Sequence, residues 1–104
     1  DPRIAKILTL LNAGSLHFPT LQEAAETVFV SPQHLSLLFK RETGLSYSEY
    51  LTRLRLDRAC RLLDNPDLSI REIAEMSGFS DPDYFSRFFK QNMGMRPGEY
   101  RSSK

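Results

Sequence analysis

Two sets of side chains in this chain have the types and spacing to read a base-paired duplex. Gln33, Ser36, Leu37 and Lys40 fall at i, i+3, i+4 and i+7, and so do Asp83, Ser86, Arg87 and Lys90. On a helix each set forms one stripe. A helix fits the major groove of B-form DNA, and the donors and acceptors of base edges match these groups. Gln33 pairs with adenine and Arg87 with guanine through two hydrogen bonds each, worth roughly 1–3 kcal/mol of discrimination per good pair. Asp83 accepts from the cytosine amino group or, failing that, is repelled by phosphate and rejects wrong sequences. Ser36 and Ser86 suit donors or acceptors, whereas Leu37 has only apolar chemistry and suits a thymine methyl or another helix. Lys40, Arg41 and Lys90 lie further along and suit phosphate, which gives affinity without sequence information. The alternative for either stripe alone is ordinary solvated surface.

The elements that must hold these stripes are written twice. Thr20, Glu23, Ala25 and Glu26 are answered by Ser69, Glu72, Ala74 and Glu75 at a shift of 49. Pro32, Ser36, Phe39, Lys40, Gly44, Glu49 and Tyr50 are answered by Pro82, Ser86, Phe89, Lys90, Gly94, Glu99 and Tyr100 at a shift of 50. Such a repeat decides the architecture. Thr20-x-x-Glu23, Ser46-x-x-Glu49 and Ser69-x-x-Glu72 are capping boxes. Ser31-Pro32 and Asp81-Pro82 place a cap before a proline at the first helical position. Ile4, Ile7, Leu8 and Leu11 make an opening helix that Gly14 can close, and Asp64-Asn65-Pro66 ends the long helix begun at Ser46. A short helix is expected after Pro97. Between the paired helices, Ser77-Gly78-Phe79-Ser80 is one residue longer than Val28-Phe29-Val30, which accounts for the change of shift. The expectation is an all-α fold of seven helices. It comprises a first helix-turn-helix subdomain (1–45), a linker helix (46–64) and a second helix-turn-helix subdomain (65–104). Leu35, Leu38 and Phe39 form the core of one repeat, and Phe85, Phe88 and Phe89 that of the other.

Composition narrows the classes. In 104 residues, 40% hydrophobic, one modest core is affordable. No apolar run is long enough to span a membrane. Cys60 is a lone cysteine, which fits a reducing cytoplasm, and its neighbours make it a small core residue. No Ser/His/Asp set, carboxylate pair or metal spacing appears, so no enzyme, cofactor or metal is expected. His17 sits in a loop, and His34 suits packing or capping better than base reading. The net charge of +1 is uninformative, but its distribution is not. Six basic residues against three acidic ones lie between Phe39 and Arg61. The opening helix of each repeat is acidic, with Glu23 and Glu26, then Glu72 and Glu75, and these faces are candidates for protein contact.

The ending Gly78-Phe79-Ser80-Asp81, Tyr84-Phe85-Ser86-Arg87, Phe89-Lys90, Gly94, Pro97, Tyr100-Arg101 resembles the DNA-binding domain of the AraC/XylS family of bacterial transcription regulators. The resemblance covers essentially the whole chain. It implies two recognition helices in successive major-groove faces, ~34 Å apart, on a site of about 20 base pairs. It places base reading on Gln33, Ser36, Leu37, Asp83, Ser86 and Arg87. Ser31, Lys40, Arg41, Arg55, Lys90 and Arg96 are then the phosphate contacts. Arg96 stands where the family often has Thr or Ser, losing a cap and gaining a cation. Implied partners are promoter or operator DNA and RNA polymerase, with activation in the cytoplasm. The start at Asp1-Pro2 and the family's usual length suggest a missing N-terminal effector-binding or dimerising domain. The alternative is a helical protein-interaction module that does not bind DNA.

Overall fold

The computed structural model describes residues 1–14 and 17–103. Among them are seven helices and no strand: α1 (Pro2–Leu11), α2 (Leu21–Thr27), α3 (Pro32–Thr43), α4 (Tyr47–Leu62), α5 (Ile70–Met76), α6 (Pro82–Met93) and α7 (Pro97–Ser102). The three capping boxes form as the sequence spells them. Thr20 Oγ1 accepts from the Glu23 N–H at 3.1 Å while Glu23 Oε1 accepts from the Thr20 N–H at 2.9 Å. Ser46 with Glu49 and Ser69 with Glu72 repeat that exchange. Each box satisfies two backbone donors that a helix start leaves open. α1 stops at Leu11, three residues before Gly14, and the Asn12 side-chain amide donates to the Leu8 carbonyl at 2.8 Å.

The chain divides into two compact units, residues 1–52 and 53–104, with the division inside α4. In the first unit α2 and α3 pack together, and α1 packs on α3. Ala25 at the α2–α3 crossing is fully buried, as are Ile7 and Phe39. Phe39 meets the edges of Tyr47 and Tyr50 at centroid distances of 5.3 and 5.4 Å. The Tyr47 hydroxyl donates to the Pro19 carbonyl at 2.7 Å, tying the start of α4 to the segment before α2.

The second unit repeats the plan with α5, α6 and α7 around Leu56 and Ala59 of α4 and Leu63 just beyond it, and Ala74 takes the place of Ala25. In its core Phe79, Phe85 and Phe89 are buried, and Tyr100 packs edge-on to Phe89 at 5.5 Å. Phe88, expected inside, is only half-buried. It lies under Tyr84, the two rings stacked at 5.8 Å, so the aromatic cluster reaches the surface there. Cys60 is a free, half-buried thiol against this core.

The turn inside each pair of helices is the same structure. Val28, Phe29 and Val30 donate to Ala25, Glu26 and Ala25, and Ser77, Gly78 and Phe79 donate to Ala74, Glu75 and Ala74, with Ser77 donating also to Ile73 at 2.9 Å. This is a Schellman-type helix end, which puts one residue in the left-handed region. In the second unit that residue is Gly78, φ +94°, which meets no steric penalty; in the first it is Phe29, φ +60°, which does.

Candidate nucleic-acid interface

α3 and α6 begin alike. Ser31 Oγ accepts from the His34 N–H at 3.1 Å, and an Asp81 carboxylate oxygen accepts from the Asp83 N–H at 2.9 Å. Proline follows each cap, and each helix ends on a left-handed glycine, Gly44 or Gly94. The buried faces are Leu35, Leu38 and Phe39 in α3, and Phe85 and Phe89 in α6. Fixing those faces inward leaves the two stripes outward. Gln33, Leu37 and Lys40 are exposed with Ser36 half-buried, and Asp83, Arg87 and Lys90 are exposed with Ser86 half-buried.

The two outward surfaces differ in chemistry. On α6, Asp83, Ser86, Arg87 and Lys90 line a depression of about 350 Å³ with Arg96. Three cations and one carboxylate share that surface. Arg96 is the N-cap of α7 and makes no side-chain cap, so its guanidinium is not committed to the helix start. Asp83 lies in the first turn of α6, where its charge also favours the helix dipole. On α3, Gln33, Ser36 and Leu37 line a depression of about 510 Å³ with Leu21 and Pro32, and none of these five residues is charged. Leu37 is 75% exposed.

The expected phosphate contacts do not all stand alike. Lys40, Arg41, Lys90 and Arg96 are exposed. The Ser31 hydroxyl already caps α3 but retains a proton to donate. Arg55 is half-buried and lies under the turn before α6, where a β-carbon at Gly78 would come within 3.0 Å of its Nε. Arg58 is also turned inward: its Nη1 donates to the Met76 carbonyl at the end of α5, at 3.4 Å. Burial, and secondarily the charge of Arg61, pulls the Arg58 guanidinium below its usual range. Two of the six cations counted between Phe39 and Arg61 are therefore at least half committed to packing.

Two exposed aromatics escaped the sequence reading. Tyr84, 50% exposed, stands beside Asp83 on α6. The signal was its counterpart at the shift of 50, His34, whose side chain is exposed and not packed as expected. Phe29, 92% exposed, projects from the α2–α3 turn. Among the described residues no cluster of His, Cys, Asp or Glu is built to hold a metal ion, and no helix is long and apolar enough to cross a membrane.

Residues 24–103 match the model of a helix-turn-helix domain family, of AraC type. The chain belongs to that family. It carries the family's DNA-binding domain, which is not an enzyme class. Over 94% of its length it is 42% identical to the transcriptional regulatory protein YesN of Bacillus subtilis (strain 168), and it spans 28% of that relative. Among solved structures it resembles the C-terminal domain of AraT, a response regulator from Geobacillus stearothermophilus. The TM-score is 0.88 with 35% identity, covering all of this chain and 87% of that one. The DNA-binding domain of AdpA, solved with a target DNA, has the same fold, with a TM-score of 0.88 and 24% identity over 97% of this chain and 91% of that one.

Proposed function

We propose that this AraC-type domain binds double-stranded DNA sequence-specifically by placing α3 and α6 each in a major groove. Gln33, Ser36 and Leu37 read bases from α3; Asp83, Ser86 and Arg87 read them from α6. Lys40, Arg41, Lys90 and Arg96 bind phosphate, with Ser31 donating from the start of α3. Arg55 contributes chiefly by supporting the turn that aims α6. The observation that carries the reading is the coincidence of two capped, proline-started helices that expose matching positions of one repeat. A helix used only for internal packing has no reason to leave the same four positions outward twice.

The whole protein is read as a cytoplasmic transcription regulator, an activator that contacts RNA polymerase once bound near a promoter. The acidic surfaces of α2 and α5, with Glu23, Glu26, Glu72 and Glu75, are the proposed protein-contact faces. The relative YesN is several times longer than the matched segment. We infer from that share that an effector-binding or dimerising domain accompanies this one in the intact protein.

The test is selection of bound duplexes from a random pool, followed by titration of the best one. Two separated blocks of base preference, about 10 base pairs apart, are expected. Arg87→Ala should relax preference at one position and cost about 1–3 kcal/mol there. Binding without any base preference, or an Arg87→Ala variant unchanged in both affinity and preference, overturns the reading.

A further inference from the structure

The repeat sets Leu37 opposite Arg87 at the shift of 50, and the two occupy opposite chemical surroundings. Arg87 shares its depression with Lys90, Arg96 and Asp83. Leu37 shares its own with Leu21, Pro32, Gln33 and Ser36, a surface without charge. Exposing three quarters of a leucine to water on a helix whose core face is already filled gains nothing for the fold. From Pro32 to Arg41 no residue is acidic, and the helix carries Lys40 and Arg41 near its end, followed by its one acidic residue, Glu42. Such a surface, neutral at its start and positive at its end, complements a groove floor with apolar points flanked by phosphates.

Resting on the DNA-binding reading above, we propose that Leu37 is a specificity-determining residue that reads the C5-methyl group of thymine. The first unit then selects by methyl contact, while the second selects by charged hydrogen bonds. Thymine is the one base of DNA that offers a methyl in the major groove. The depression around Leu37, about 510 Å³, is lined only by uncharged residues. Gln33, one turn earlier on the same stripe, is placed for the adjoining adenine.

Deoxyuridine isolates this contact, because it lacks only the methyl and keeps the O4 acceptor. Each thymine of the selected duplex is replaced singly by deoxyuridine and the dissociation constant is measured for the 104-residue chain. At one or two positions affinity should fall about threefold to fivefold, the transfer value of one methyl. In Leu37→Ala, which removes an exposed side chain and leaves the core intact, the penalty should vanish at those same positions. In Arg87→Ala it should persist.

A selectively bound duplex that tolerates deoxyuridine everywhere overturns the inference and leaves the DNA-binding reading standing. So does a penalty that survives Leu37→Ala unchanged, which would leave Leu37 as a contact for another protein. A chain that selects no duplex at all overturns both.

Discussion

The turn before α3 contains a residue that its own repeat marks as mismatched. Phe29 holds φ +60° where its counterpart Gly78 holds φ +94°, inside a matching pair of Schellman-type backbone hydrogen bonds. An L-residue pays roughly 1–2 kcal/mol in the left-handed region. The Phe29 ring recovers little of that by packing, since the residue is 92% exposed. Phe29→Gly should therefore relieve the strain and lose only the extra chain entropy of glycine, about 0.5–1 kcal/mol. The difference spans about 0–1.5 kcal/mol, and its midpoint, a gain of about 0.75 kcal/mol, is roughly 3–6 °C in the melting temperature of a unit this small. Gly78→Ala runs the comparison backwards. It adds the same strain, and its β-carbon would meet Arg55 Nε at 3.0 Å, so a loss of at least about 1 kcal/mol is expected. Thermal and urea unfolding followed by circular dichroism measure both. If Phe29→Gly leaves stability unchanged or lowers it, the equivalence of the two turns is wrong, and Phe29 is held by something other than the local backbone.

With four exposed phosphate-binding cations, the logarithm of affinity should fall against the logarithm of salt with a slope of about −3.6. Lys40→Ala and Lys90→Ala should each shallow it by about 0.9 for every duplex alike, read by fluorescence anisotropy at several salt concentrations. Arg101 gives its guanidinium to the carbonyls of Leu63, Asn65 and Leu68 at 3.2, 3.3 and 2.8 Å, closing the α4–α5 connection. Arg101→Ala should cost about 2 kcal/mol in urea unfolding, and Arg101→Lys should recover only part, lacking the planar fork. The Glu23 carboxyl is held below its usual range by the Thr20 backbone N–H, then by the Thr20 hydroxyl. A depressed folded value means stability present above the unfolded value and lost as pH falls through the folded one. Acid titration of stability should therefore show a limb near and below the ordinary glutamate range, and Glu23→Gln should flatten it while preserving the cap.

Features set within four residues of themselves were legible in the sequence. The capping boxes, the capped prolines and the end of α4 are each a matter of which side chain can satisfy which neighbouring backbone group, and all formed as read. The core faces of α3 and α6 followed from period alone, apart from Phe88, whose outer side is covered by Tyr84 on the same helix. What could not be read depends on partners far along the chain. Arg55 and Arg58 count as cations of α4, yet they turn under α5 and the Gly78 turn, eighteen or more residues away. Phe29 looked like a loop hydrophobe, because nothing in a sequence announces a positive φ at a bulky residue. Its repeat partner at the shift of 49, Gly78, carries that information.

The duplication also separates two kinds of surface position by their chemistry. Lys40 and Lys90 are the same residue, as are Ser36 and Ser86. Gln33 and Asp83 differ, and so do Leu37 and Arg87. All eight face outward to some degree, so burial does not explain which pairs were kept. Phosphate accounts for Lys40 and Lys90: it is identical at every step of a duplex, so a cation placed for it serves equally in either unit. Base edges differ from step to step, and a residue with a fixed donor or acceptor pattern must change when the base does, whereas the hydroxyls of Ser36 and Ser86 suit either pattern. The equal lysines beside the unequal readers are what two copies of one helix would show after being set to different stretches of sequence.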